Sequence, residues 1–263
     1  MDSRWHDDPR RHDGSVTYRH TTEILKRNGQ LFVTASSSRR ACDMTRVTAQ
    51  SSARHTDGMD ASGRTVVAVV LAGGAGSRFL KGHGAAHKLD ARLRATSTER
   101  EESVADRAIR HATEASIGPV IVVAGGWSPA ADDSDGGSRA RHVVVNDSWR
   151  DGQISSVHAG ITAAAERGAD RVVIGLADQP FVTPDAWRSV AQAPGPICVA
   201  TYGGRRGNPV GLDRSVWALL PATGEEGARA LMRIRPDLVR EVACSGSPAD
   251  IDTVEDLHRW QNN

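Results

Sequence analysis

The chain has 263 residues and a formal net charge of +1, with 25% charged and only 4% aromatic residues. Lys and Arg are matched by Asp and Glu and form no long basic stripe, which excludes a nucleic-acid surface, and no stretch approaches the ~20 apolar residues of a membrane span. Cys42, Cys198 and Cys244 are odd in number and far apart, which excludes a disulfide framework or structural zinc site and fits a reducing, cytoplasmic location.

Met1 to Arg64 is rich in Arg, Asp, Ser, Thr and His, and its only apolar cluster is Leu31, Phe32 and Val33. It buries too little to offset chain entropy, so residues 1–64 are expected to form a disordered extension before a domain over 65–263. His6, His12, His20 and His55 are scattered there without metal-ligand spacing.

Val66 to Leu71 is an unbroken apolar run, ended by Gly73, Gly74 and Gly76. That pattern predicts a strand buried on both faces and then a tight loop. Glycine lets the backbone approach a ligand, and consecutive N–H groups in such a turn make an anion-binding concavity. Ser77 adds a hydroxyl and Arg78 a planar fork suited to phosphate oxygens. The loop is built for a polyphosphate, although neither G-x-x-x-x-G-K-[ST] nor G-x-G-x-x-G fits it. The stretch Arg92 to Glu102 is charged and poorly patterned, and reads as an exposed connection. Val104 to Ala115 then predicts a helix, with Val104, Ala108, Ile109 and Ala112 on one side and Asp106, Arg107 and Arg110 on the other.

Further strands are expected at Pro119 to Ala124 and His142 to Val145. The acidic loop between them, with Asp132, Asp133 and Asp135, lacks the glycine and closing Glu of a calcium loop and reads as a solvated turn. Ser155 and Ser156 sit where the next helix starts, either as caps or as donors of hydroxyl and N–H groups to a base or phosphate. Asp170 to Ala177 reads as a buried strand, so Asp178 lies at the carboxyl end of a parallel strand, where open α/β sheets place ligands, or else caps a turn. Thr183 and Pro184 read as a helix cap and first helical position. Cys198 falls in an apolar strand and reads as a small core residue. Arg205 and Arg206 either decorate a hairpin turn or hold a phosphate, and Pro209 forces Asn208 into an extended conformation. A strand is expected at Leu238 to Ala243. Thr253 and Asp256 make a capping-box-like helix start that leaves Asp250 and Asp252 without a local role.

The stretch L-A-G-G-A-G-S-R at Leu71 to Arg78 resembles the opening signature of nucleotidyltransferases, and among these the molybdenum cofactor cytidylyl- and guanylyltransferases. So do N-D-S-W-R-D-G-Q-I-S-S-V-H-A-G-I at Asn146 to Ile161, L-A-D-Q-P-F-V-T at Leu176 to Thr183, G-R-R-G-N-P-V at Gly204 to Val210 and T-G-E-E-G-A-R-A-L from Thr223. The last match is D-I-D-T-V-E-D-L at Asp250 to Leu257, with Val254 in place of the usual Pro. The order of these stretches along Thr65 to Trp260 implies an α/β protein with a Rossmann-like nucleotide-diphospho-sugar-transferase fold, a mostly parallel sheet with helices on both faces.

The resemblance further implies a nucleotide site of Leu71, Ala72, Gly73, Gly74, Gly76, Ser77, Ser155 and Ser156. It implies a triphosphate lysine at Lys88, in H-K-L at His87 to Leu89, with Lys81 as a rival because the intervening loop is long. Arg78, Lys88 and Asp178 would be catalytic, Mg²⁺ would be held by Asp178 and Asp252, and the acceptor by Arg205, Arg206 and Asn208. The implied reaction transfers a nucleoside monophosphate to phosphorylated molybdopterin, with pyrophosphate leaving and a molybdoenzyme or its chaperone as a partner. L-A-G-G points to GTP, whereas D-Q-P, S-S-V and G-N-P-V point to CTP, which has more matching stretches. A sugar phosphate acceptor and a non-catalytic nucleotide-binding chaperone are the alternatives.

Overall fold

The computed structural model describes residues 23–27, 30–34, 63–74, 87–94, 101–129 and 142–261. The chain divides into two units, Met1–Ser52 and Ala53–Asn263. In the first, β1 (Glu23–Arg27) pairs antiparallel with β2 (Gln30–Thr34), so the Leu31 to Val33 cluster lies in a hairpin strand. The remaining expectations for residues 1–62, including the four histidines and Cys42, lie outside the described residues.

In the second unit, β3 (Val66–Ala72) is buried at every position, as its unbroken apolar run requires. Its side chains alternate between two cores, following the two-residue period of a strand. Val66, Ala68, Val70 and Ala72 belong to one, and Val67, Val69 and Leu71 to the other. Next come the two-residue strands β4 (Arg92–Leu93) and β5 (Glu102–Ser103), α1 (Val104–Glu114), β6 (Val120–Ala124) and β7 (His142–Val145). They lead to α2 (Gln153–Glu166), β8 (Arg171–Leu176), α3 (Pro184–Gln192), β9 (Ile197–Tyr202) and β10 (Arg205–Asp213). The unit closes with α4 (Arg214–Trp217), α5 (Ala228–Ile234), β11 (Val239–Ala243) and α6 (Val254–Gln261).

Seven strands form one sheet in the order β7, β6, β3, β8, β10, β9, β11. The pairs β7–β6, β6–β3, β3–β8 and β9–β11 are parallel, and only β10 runs antiparallel to its neighbours. Side chains of α1, α3 and α6, among them Ile109, Trp187 and Leu257, fill the core on one face. Ile154 and Val157 of α2 and Leu231 of α5 fill the other. Each fully buried Val or Ile contributes about 1.5–3 kcal/mol relative to exposure, so these two layers are the main stabilising term. Cys198 is buried within β9, as read from its apolar surroundings. Thr183 accepts from the Ala186 N–H and Pro184 opens α3, as expected. No described helix is long and apolar enough to cross a membrane.

Two features depart from expectation. The stretch Arg92 to Glu102 is not simply an exposed connection, because its ends pair as β4 and β5 and bury Leu93 and Glu102. Arg107 is not on a solvated face either: it is buried and donates from Nε to Glu102 Oε1 at 2.9 Å, while Arg110 Nη2 reaches the same oxygen at 2.7 Å. A buried carboxylate beside two guanidiniums removes the penalty that each charge alone would carry.

Burial disfavours the Glu102 anion, but its hydrogen bonds to Arg110 and Arg107 outweigh this and hold its carboxyl below the ordinary value of 4.5. A carboxyl lowered by folding contributes stability above its unfolded value and loses it as pH falls through the folded one. Glu102→Gln is therefore expected to cost about 2 kcal/mol at neutral pH. The difference should vanish once the wild-type carboxyl is protonated. Urea denaturation of both proteins from neutral to acid pH checks this, and parallel curves would refute it.

Candidate active site

In an open α/β sheet, ligands bind outside the carboxyl ends of strands where the strand order reverses. Here that point lies between β3 and β8, since β6 and β7 extend the sheet on one side and β10, β9 and β11 on the other. The two exits stay side by side, with the Ala177 N–H donating to the Leu71 carbonyl at 3.0 Å. Gly73 and Gly74, after β3, and Asp178, after β8, consequently line one cleft of about 470 Å³ together with Leu71 and Ser156. The other residues expected at the phosphate loop, Gly76, Ser77 and Arg78, and the rival Lys81, lie outside the described residues, as does the acidic loop at 132–135.

Lys88 enters this corner on a single 3-10 turn, Lys88–Asp90. Its Nζ donates to Asp178 Oδ2 at 2.6 Å and to Asp252 Oδ1 at 2.7 Å, joining three residues that the sequence pattern had linked only by resemblance. Burial opposes the charge on Lys88, but Asp178 and then Asp252 more than offset it, so the ammonium is held above its ordinary value and remains charged. Asp252 reaches the site because the Ile251 N–H donates to the Asp178 carbonyl at 2.9 Å. The chain then turns into α6 through the expected capping box, with Thr253 Oγ1 accepting from the Asp256 N–H at 3.1 Å and Asp256 Oδ2 from the Thr253 N–H at 3.0 Å.

Asp178 Oδ1 is buried with no hydrogen-bond partner. A buried carboxylate oxygen without a donor is costly unless a cation or water completes it. Hard oxygen donors from two nearby carboxylates suit a small divalent ion that keeps several of its other ligands from water and phosphate. The residues therefore fit the metal that the resemblance implies.

One side of the cleft is organised by Asn146. Its amide donates to Ser155 Oγ at 2.9 Å and to Ser156 Oγ at 3.0 Å. The two serines lie inside the first turn of α2, which starts earlier than read, at Gln153 behind Gly152. They divide the expected role. Ser155 Oγ lies 2.8 Å from the Gly152 carbonyl and is used locally. Ser156 lines the cleft, with its hydroxyl proton left for a ligand. A Cβ at position 73 would come within 2.9 Å of Ser156 Oγ, so Gly73 is what lets the loop pass this close. Gly152 has φ +105°, and a Cβ there would lie 2.5 Å from the Gly224 carbonyl. Trp149, with the Arg150 guanidinium 4.2 Å from its ring centroid, adds a flat wall to the cleft.

A second cleft of about 580 Å³ adjoins the first and shares Leu71, Gln153, Leu176, Asp178 and Glu225 with it. Asn208 lines it. Arg205 and Arg206 do not: they sit on the β9–β10 hairpin, where Arg206 pairs with Glu241 at 2.8 Å on the surface. That end of β10 lies at the carboxyl edge of β8, but of these three residues only Asn208 lines the cleft. Among the described residues, the cations that line the cleft are Lys88 and Arg229. Gln179, buried, ties its floor together. Its Oε1 accepts from Asn208 Nδ2 at 3.0 Å, and its Nε2 donates to Asp250 Oδ1 at 2.6 Å and to the Pro248 carbonyl at 3.0 Å. Burial, then the Asp178 and Asp252 charges, push the Asp250 carboxyl up. Gln179 and Arg229 lie inside the matching stretches, but nothing in their types or spacing singled them out.

A family model described as the MobA-like NTP transferase domain matches residues 68–242, more than half of the chain. The purine catabolism protein PucB of Bacillus subtilis (strain 168) is 36% identical over 110 residues, which are 40% of this chain and 54% of PucB, so the match spans about half the length of that curated relative. Among solved structures, Rv0371c from Mycobacterium tuberculosis H37Rv superposes with a TM-score of 0.59 at 26% identity, covering 75% of this chain and 98% of that one. A complex of Rv0371c with manganese also matches, with a TM-score of 0.55. A nucleotidyl transferase from Methanothermobacter thermautotroptrophicus, Mth528, shares the fold, with a TM-score of 0.61 at 24% identity over 75% of this chain and 96% of that one.

Proposed function

The chain belongs to the MobA-like NTP transferase family, and on that premise we propose that it transfers a nucleoside monophosphate, CMP in preference to GMP, from the triphosphate to phosphorylated molybdopterin with release of pyrophosphate. The observation that carries this reading is the pair of adjoining clefts that share Asp178. One suits a nucleotide and the other a phosphorylated acceptor, so the reacting atoms of both meet beside one carboxylate and Lys88.

In this reading the backbone amides of Gly73 and Gly74, with the Arg78 fork, take the β- and γ-phosphates, and Ser156 donates to the nucleotide. An acceptor phosphate oxygen attacks the α-phosphorus and pyrophosphate leaves. Such a transfer needs positioning and charge neutralisation more than covalent help. Lys88 supplies a buried, charged donor at the transferring phosphoryl. Asp178 and Asp252 would hold Mg²⁺, which supplies neutralisation of the phosphate oxygens. Asn208 orients the acceptor, and Arg229 takes the acceptor-phosphate role expected of Arg205 and Arg206. Among the described residues Arg229 makes no ion pair, so its charge is available to a ligand.

The test is incubation with Mg²⁺ or Mn²⁺, each nucleoside triphosphate, and molybdopterin or a sugar phosphate, followed by pyrophosphate release and product mass. A CMP-molybdopterin product is expected. A product formed only with a sugar phosphate would move the acceptor, and inertness of both CTP and GTP would overturn the donor assignment. Arg229→Ala should raise the acceptor KM about ten- to a hundredfold with little effect on the triphosphate KM, the size expected for a lost hydrogen bond to a charged group. Arg205→Ala should change neither.

A further inference from the structure

We infer that His87 is a positioning residue that locks the Lys88 turn to the glycine loop, and that it does so as the Nε2–H tautomer of the neutral imidazole. Three contacts carry this. His87 Nε2 lies 3.0 Å from the Gly74 carbonyl oxygen. A carbonyl only accepts, so Nε2 bears the proton. His87 Nδ1 lies 3.2 Å from the Leu89 N–H, which only donates, so Nδ1 bears none. The ring thus joins the backbone of the phosphate loop to the second N–H of the turn that carries Lys88.

The turn is fixed on its other sides as well. Trp127 Nε1 donates to Asp90 Oδ1 at 2.7 Å, and the Val104 N–H donates to the Ala91 carbonyl at 3.0 Å. Those bonds tie it to the β6 exit and to α1, not to Gly74. Among the described residues, His87 alone supplies a side-chain bond between the turn and the glycine loop. The ammonium of Lys88 must lie beside phosphate groups that the loop's amides hold, and displacement of a positioned group by about 1 Å can cost about a hundredfold in rate. His87 therefore acts through Lys88, touching no reacting atom itself.

The proposal rests on the transferase reading for its kinetic part only. Two substitutions separate the halves of the ring. In Gln the side-chain amide reaches the place of Nε2 and keeps the bond to Gly74; in Asn it reaches only the place of Nδ1 and keeps the cap on Leu89. His87→Gln is expected to retain most of the wild-type kcat, and His87→Asn and His87→Ala to lose about ten- to a hundredfold in kcat. Their melting temperatures should remain within a few degrees of wild type, since a single partly exposed hydrogen bond contributes about 1 kcal/mol.

The reverse order, with Asn active and Gln as poor as Ala, would mean that the ring is only a local cap and would overturn the proposal, as would three equally active variants. A second readout needs no turnover. Long-range ¹H–¹⁵N spectra of the full chain, at a pH of about 8.5 where an ordinary imidazole is neutral, should show the His87 ring protonated at Nε2. A proton at Nδ1 would overturn it even if the wild-type protein proved inert toward every triphosphate, an outcome that would sink the functional reading alone.

Discussion

Asp178→Ala should lower turnover by at least about a hundredfold while leaving the fold intact. Removing one preorganised electrostatic stabiliser from a water-poor site commonly costs about a hundred- to a thousandfold. Asp178 has two claims to that role. One of its oxygens holds the Lys88 ammonium at 2.6 Å, and the other is buried without a partner. Loss of the carboxylate leaves Lys88 with Asp252, so the lysine keeps a counter-ion and the local structure survives. The Asp250 carboxyl, pushed up in part by the Asp178 charge, is relieved by the change. Asp178→Asn should be nearly as impaired, because it keeps the volume and removes the charge. Pyrophosphate release under saturating Mg²⁺ and Mn²⁺, with circular dichroism as a control for folding, decides the matter. Turnover within a few-fold of wild type would mean that the carboxylate has no part in the chemistry. Lost turnover with nucleotide binding retained would separate an enzyme from a carrier.

The second large effect is expected at the opposite end of the same strand. Asp213→Ala should destabilise the protein by about 3–5 kcal/mol, because it strands a buried guanidinium. Arg171 opens β8 with no exposed surface, and its Nη1 donates to Asp213 Oδ1 at 2.8 Å and to the Gly195 carbonyl at 3.1 Å. Its Nη2 donates to the Val190 carbonyl at 3.2 Å, while Nε is buried with no partner. Carbonyls alone do not neutralise a cation, so the aspartate is the one group here that removes the penalty. A fall in the melting temperature of roughly 10 °C is expected for a domain of this size. The double variant Arg171→Met with Asp213→Ala should recover much of the loss, since an apolar pair of similar volume leaves no charge behind. An unchanged midpoint for the single variant would show that Arg171 does not depend on this partner. Surviving activity should be normal, because the strand places the pair roughly 20 Å from Asp178 at ~3.3 Å per residue.

How much of this was legible beforehand differs from residue to residue. β3 and most of β8 were, because a strand buried on both faces reads as a near-continuous apolar run, which in β8 only the opening Arg171 interrupts. Asp178 was placed by its position after such a run and by the D-Q-P stretch. Thr253 with Asp256 was legible because a capping box is local. The burial of Glu102 and Arg107 was not, since each reads as a surface charge until β4 and β5 pair and bring them together. Arg205 and Arg206 stay open in the sequence between a hairpin turn and a phosphate contact for a related reason: which residues of that segment face the cleft depends on how β10 pairs with β9 and β8. In the sequence His87 reads only as the neighbour of a lysine, and the partners that give it a purpose become visible only when Gly74 is beside it.

The pairing of Lys88 with Asp252 spans 164 positions of the chain. The glycine loop and the lysine precede most strands of the sheet, which is complete with β11, and the second carboxylate lies in the segment that follows. A chain cut before Ala249 would keep all seven strands of the sheet, but would lack Asp252 and the side chains, Ile251 and Leu257 among them, that complete one of its two cores. Lys88 would then rest on Asp178 alone, with one of its two counter-charges missing.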